Sequence, residues 1–215
     1  MNIRLQQIVP VPFRDKAMIQ HSDIWNKDVI FKEREYIKVK APSGTGKTTL
    51  VHIIYKMRYD YDGTVWYDNT SILNMDAEKI STYRQTNISI VFQDLRLFPH
   101  LTARENIELK RTMHQNIYEK NIINEMAERL GVQHVLDQPA AKCSYGEQQR
   151  IAIIRSLMQP FKWLIMDEPF SHLDVANAQK AATLIVEECK KRNAGIILTD
   201  LEDDTHFNYT RKLVM

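Results

Sequence analysis

Ala41-Pro42-Ser43-Gly44-Thr45-Gly46-Lys47-Thr48-Thr49 decides how this 215-residue chain is read. The run before it, Tyr36-Ile37-Lys38-Val39, alternates apolar and polar, and Leu50-Val51-His52-Ile53-Ile54 after it continues as a helix. Strand, small-residue turn and helix start are the context of a phosphate-binding loop. Backbone N–H groups of Ser43, Gly44, Thr45, Gly46, Lys47, Thr48 and Thr49, with the positive end of the helix dipole, would surround a triphosphate. Lys47 would reach the β- and γ-phosphates, and the Thr48 hydroxyl would hold Mg²⁺. The first position is Ala41 rather than glycine, which fits if the backbone angle there is ordinary. The bland alternative is a glycine-containing turn with a surface lysine.

Composition bounds the rest. Apolar residues make up 44% and charged residues 26%, an ordinary globular mix for one large domain. The net charge of +2 does not call for nucleic acid. Cys143 and Cys189 are the only cysteines and form no ligand cluster, so a reduced, cytoplasmic compartment is expected. No run approaches the apolar length of a membrane-spanning helix, so no direct membrane insertion is expected. The N-terminal stretch lacks the apolar core of a signal peptide.

Around the loop, strands are read at Ile3/Leu5, Val29/Phe31 and Tyr36–Val39, forming a β-rich lobe. The helix after the loop is expected to run to about Arg58. Asp62-Gly63 reads as a turn before the strand Thr64–Tyr67. Asp76 caps a short helix to about Tyr83, and Ile88–Phe92 is a buried strand that delivers Gln93 to its end. From Asp94 to Lys142 the pattern turns helical. Thr102 with Glu105 forms a capping box, and Ile117, Ile122, Met126 and Leu130 share helical spacing before Gly131. A helix begins near Glu147, Trp163–Met166 is a buried strand, Val175–Arg192 a long helix, Gly195–Thr199 a further strand, and Lys212–Met215 the last. Strands alternating with helices predict an α/β fold with a parallel sheet covered on both faces.

Further stretches follow the loop in a fixed order. Cys143-Ser144-Tyr145-Gly146-Glu147-Gln148-Gln149-Arg150 opens a helix with a serine and a glycine; Leu164-Ile165-Met166-Asp167-Glu168-Pro169 ends a buried strand in two carboxylates; Phe92-Gln93-Asp94 ends another. Together they resemble the ATP-binding cassette (ABC) ATPase family across nearly the whole chain. The resemblance implies a P-loop NTPase core with a parallel sheet (41–93 and 160–215), an N-terminal antiparallel β-subdomain (1–40 with 60–70) and an inserted α-helical subdomain (94–158). It implies that Ser144, Gly146 and Glu147 face the γ-phosphate of ATP bound by a second copy in a head-to-tail homodimer. Asp167 would hold Mg²⁺, Glu168 would orient or deprotonate the attacking water, and Gln93 would touch the metal or the water. Ser171-His172-Leu173-Asp174 resembles the loop between the two ATP sites, with Asp174 its functional member. Adenine would stack on Phe13, or alternatively on Trp25; either residue also fits a core role. Leu95, Leu97, Phe98 and Leu101 fit either the groove that receives a membrane subunit or core packing.

One departure stands out. The family has a switch histidine after the strand that ends here in Leu198-Thr199, and this chain has Asp200. An ionised aspartate cannot donate a hydrogen bond and would repel phosphate unless a cation or proton intervened. The expectation is ATP binding with slow hydrolysis; the alternative is that Asp200 points away and Glu168 suffices. The resemblance implies an ATPase subunit of an ABC transporter-type complex, peripheral on the inner face of the cell membrane through a permease-type partner. It is nearest in look to the lipoprotein-releasing, macrolide-export and cell-division group. The rival is a hydrolysis-impaired regulatory or scaffold subunit.

Overall fold

The computed structural model describes residues 1–15, 18–113 and 117–215. Two sheets organise it. An antiparallel sheet in the order β2-β1-β4-β5 combines β1 (Ile3–Pro10), β2 (Asp28–Phe31), β4 (Tyr61–Tyr67) and β5 (Thr70–Ser71). A parallel sheet in the order β6-β7-β8-β3-β9 combines β6 (Ile88–Val91), β7 (Trp163–Asp167), β8 (Gly195–Asp200), β3 (Tyr36–Lys40) and β9 (Arg211–Val214). The helices are α1 (Met18–His21), α2 (Lys47–Ile54), α3 (Ala77–Thr86), α4 (Ala103–Thr112), α5 (Ile122–Arg129), α6 (Tyr145–Leu157) and α7 (Val175–Arg192).

The period-2 alternation of the parallel strands separates two cores. Ile37, Val39, Ile165 and Ile197 face α2 and the antiparallel sheet. Leu164, Met166, Ile196 and Leu198 face α7, and the same apolar cluster continues into α4, α5 and α6. Because the strands are parallel, the loops leaving β3, β6, β7 and β8 emerge along one edge, the usual place for a ligand in such sheets.

Several expectations are corrected. Tyr36–Lys40 belongs to the parallel sheet, paired with β8 and β9, and not to the β-rich lobe. Asp62-Gly63 is no turn: both lie inside β4, where Gly63 (φ 87) sits opposite a bulge in β1 at Gln7 (φ 50). A Cβ on Gly63 would run into the carbonyls of Gln6 and Gln7. The helix after the loop ends at Ile54, where Lys56 turns left-handed (φ 54) and Met57 N–H closes onto His52 O at 2.7 Å. Ile117 lies outside α5 and is exposed, so the helical spacing holds only from Ile122 onward. The capping box at Thr102/Glu105, the Asp76 cap and the Gly131 stop (φ 65) stand as expected.

Candidate functional site

Lys47 opens α2, and its N-cap Gly46 has φ 105, a conformation only glycine adopts without strain. A Cβ on Gly46 would meet Phe13 Cε2 at 2.5 Å and Trp25 Cζ2 at 3.0 Å, so two aromatic rings pack closely against the loop. Trp25 is fully buried and donates from Nε1 to Thr45 O at 3.1 Å. That makes Trp25 a pillar under the loop and removes it as an adenine-stacking surface. Phe13 instead lines a cavity of about 240 Å³ with Ser43, Gly44, Gly46, Lys47, Thr48, Thr49, Gln93 and Glu168. Ala41 is buried and does not take a positive φ, so its methyl fits the first loop position; its N–H donates to Asp200 O at 3.0 Å.

The cavity floor is polar and largely buried. Lys47 Nζ lies 3.3 Å from Glu168 Oε1 and donates to the carbonyls of Ala41 (3.0 Å) and Pro42 (3.3 Å). Thr48 Oγ1 donates to Asp167 Oδ2 at 2.6 Å and lies 3.2 Å from Gln93 Oε1. Thr199 Oγ1 donates to the other Asp167 oxygen at 2.6 Å. Gln93 Nε2 reaches Glu168 Oε2 at 3.2 Å. Glu168 itself has φ 47, left-handed for a residue other than glycine, and its N–H is anchored to Thr199 O at 2.9 Å. Such a backbone costs roughly 1–2 kcal/mol and aims the carboxylate back across the loop.

The Thr48 hydroxyl thus has a carboxylate oxygen at 2.6 Å and an amide oxygen at 3.2 Å, and its chain neighbour Lys47 is a buried ammonium. Among the described residues no group of three His, Cys, Asp or Glu side chains could cage a metal. The donor set fits a hard cation that takes its remaining ligands from phosphate and water, which is how Mg²⁺ is usually held.

Ser144, Gly146, Glu147 and Asp174 do not line this cavity. Ser144 caps α6 in a reciprocal box: Glu147 Oε2 accepts from Ser144 N–H (2.7 Å) and Oγ (2.8 Å). Burial alone would raise the Glu147 carboxyl, but these bonds and His134 at 3.1 Å hold it below its ordinary value. Asp174 caps α7 through Asn177 N–H at 2.8 Å, which holds its carboxyl low. Leu95 is core, whereas Phe98 is 57% exposed, so that stretch divides between packing and surface.

Three contributors carry no role in the sequence analysis, and Trp25, named there as the alternative adenine platform, props the loop instead. Thr199 orients Asp167. Buried Gln149 ties α6 to Glu168 O (3.2 Å) and to His172 N–H (3.2 Å). Tyr145 rests its ring on His172, centroids 4.2 Å apart, and donates to Gln93 O at 3.2 Å. Only Thr199, a polar residue closing an apolar strand, carried a sequence signal.

A family profile described as ABC transporter matches residues 26–171. The phosphonates import ATP-binding protein PhnC of Agrobacterium fabrum is 30% identical over 206 residues, covering 91% of this chain and 71% of that protein. The lipoprotein-releasing system ATP-binding protein LolD 2 of Rhodopirellula baltica is 31% identical over 184 residues, covering 82% and 72%. The dimeric structure of the bacterial ABC transporter cassette MJ0796 superposes with a TM-score of 0.75 at 25% identity, covering 92% of this chain and 87% of that one. With the profile spanning most of the sequence and the loop, carboxylates and glutamine gathered at one sheet edge, the chain belongs to the ABC transporter ATP-binding family.

Proposed function

We propose that this chain is the ATPase subunit of an ABC transporter-type membrane complex and works as a head-to-tail homodimer. The observation that carries the reading is the gathering of Lys47, Thr48, Gln93 and Glu168 around one cavity, with Asp167 bonded to Thr48 beside it. In this reading the loop from Ser43 to Thr49 cradles the phosphates of ATP, and Phe13 supplies the adenine surface. Thr48, Asp167 and Gln93 hold Mg²⁺, which neutralises charge on the phosphate oxygens. Glu168 accepts a proton from the attacking water, and Lys47 leaves its carboxylate for the phosphates. Ser144, Gly146 and Glu147 of the second copy close the site, with Asp174 near the junction. Residues 94–158 rotate against the core and pass the movement to an integral-membrane, permease-type subunit. That partner holds the chain at the inner face of the cell membrane; among the described residues no helix is long and apolar enough to cross one.

The Glu168→Gln chain saturated with Mg-ATP tests this by light scattering. A shift from monomer to dimer is expected; a monomer at saturation, or no affinity of the unmodified chain for Mg-ATP, overturns the proposal.

Position 200 favours a second reading beside it. Asp200 offers no donor to a γ-phosphate, and its carboxylate pairs with Lys38 at 3.4 Å. Turnover is therefore slow, and in the limit the chain is a regulatory subunit that closes on ATP with little hydrolysis. Steady-state ATPase assays separate the two. Asp200→His is expected to raise turnover, and no gain over the unmodified chain argues against the switch account.

A further inference from the structure

We infer that Lys38 is a positioning residue for the end of β8: its buried ammonium takes up the Asp200 carboxylate and clamps the 201–210 segment onto β3. The inference rests on the ATP-binding reading above.

Lys38 is fully buried in an interior strand of the parallel sheet, flanked by Ile37 and Val39, which point to the opposite core. A lone ammonium there would be costly, and its carboxylate partners all come from one stretch of chain. Asp200 Oδ2 lies 3.4 Å away, and Asp204 makes a direct ion pair. The Tyr209 hydroxyl lies 2.7 and 2.9 Å from the two Asp204 oxygens, and its ring sits 5.8 Å from the ammonium. Burial and the Asp204 carboxylate push that hydroxyl's pKa well up, so it stays protonated and donates. Two residues along the strand, Lys40 pairs with Asp203 at 2.6 Å, and Lys212 lies 3.8 Å from the same carboxylate. Asp200, Asp203 and Asp204 thus meet Lys38, Lys40 and Lys212, so each of these three aspartates has a lysine partner.

The position of this clamp matters because Asp200 O accepts the N–H of Ala41, the first residue of the phosphate loop. An uncompensated carboxylate so close to the loop would oppose a triphosphate by Coulomb repulsion. With the carboxylate drawn to Lys38 and further held by Leu201 N–H at 2.7 Å, Asp200 stays out of the cavity lining. Lys38 is therefore the cation that makes an aspartate tolerable next to the first residue of the loop. Asp200 costs the native chain little affinity, and it becomes costly only when Lys38 is lost.

Calorimetry with Mg and a non-hydrolysable ATP analogue tests this on four proteins: unmodified, Asp200→Asn, Lys38→Met and Lys38→Met/Asp200→Asn. Asp200→Asn alone is expected to leave Kd within about twofold, Lys38→Met to weaken it by about fivefold or more, and the double variant to return to within about twofold of the unmodified chain. A residue that only filled space would make the double variant no better than Lys38→Met, and that result overturns the inference. So does a fivefold tightening in Asp200→Asn, a measurement that decides the matter even if Lys38→Met does not fold. Should the unmodified chain bind no analogue, the ATP-binding reading fails instead. The clamp is then decided by thermal melts, in which Asp200→Asn must recover at least half of the Tm lost in Lys38→Met.

Discussion

Replacing Glu168 by glutamine should move two properties of the nucleotide-free protein in opposite directions. The Lys47 ammonium lies 3.3 Å from Glu168 Oε1, and both side chains are largely buried, so the cation proposed to bind phosphate is held by an internal carboxylate. Coulomb's law at an effective dielectric of about 20 gives a gross attraction of about 5 kcal/mol at that 3.3 Å separation. Exchange with water and the cost of burial reduce this to the range of a charged hydrogen bond, about 1.5 kcal/mol net. Phosphate must overcome that attraction to recruit Lys47, and Glu168→Gln removes it while sparing an acceptor for Gln93. Mg-ADP, which has no γ-phosphate to hydrolyse, isolates the effect from catalysis. Its Kd by calorimetry should tighten about tenfold, while the Tm of the nucleotide-free variant should fall by roughly 3–6 °C. A Kd for Mg-ADP unchanged within twofold would refute the reasoning, because the lysine would then be no less available with the carboxylate present.

Three further outcomes are expected. Gly46→Ala places a methyl 2.5 Å from the Phe13 ring at φ 105, and should cost roughly 1–3 kcal/mol by chemical denaturation together with most nucleotide binding; retention of both would mean the loop is not braced by Phe13 and Trp25. Glu188, buried between Lys191 (2.7 Å), Arg192 and Tyr118, has its carboxyl held below the ordinary value by their hydrogen bonds even though burial alone would raise it. Its stabilisation is therefore present above the unfolded carboxylate range and lost as pH falls through the depressed folded value. Glu188→Ala should cost about 3 kcal/mol at pH 7 and flatten the acid limb of the stability curve, and an unaltered acid limb would contradict the pairing. Tyr145→Phe deletes only the hydroxyl bond to Gln93 O, so deuterium uptake should rise at 93–97 and stay constant across 41–49; a uniform rise would point to general loosening instead.

Much of this molecule could be read before folding, and the exceptions share causes. The loop, the paired carboxylates and the caps at Asp76 and Thr102 are local signals, set by near neighbours in the chain, and they stand where expected; the caps at Ser144 and Asp174 were not read from the sequence. Sheet membership is not local. Tyr36–Lys40 alternates like an edge strand because Lys38 breaks the apolar run, and only the distant Asp200 and Asp204 make that lysine fit an interior strand. Asp62-Gly63 imitates a turn because a bulge needs the same positive φ. The two-residue β5 and the four-residue α1 are too short to carry a period. Phe13 and its alternative Trp25 are both buried, and it is the fold that tells them apart: Trp25 bonds to the loop carbonyl of Thr45, and Phe13 lines the cavity.

The division of the apolar interior into two cores gives the parallel sheet the character of a partition wall. The phosphate helix leans on one side of it, and the helices that would answer a partner lean on the other. Stiff β-ladders carry little across their faces, so news of an occupied site has to travel around the rim. Among the hydrogen bonds at that rim are those of the Gln93 amide, the Gln149 amide and the Tyr145 hydroxyl. Each is open to editing one atom at a time.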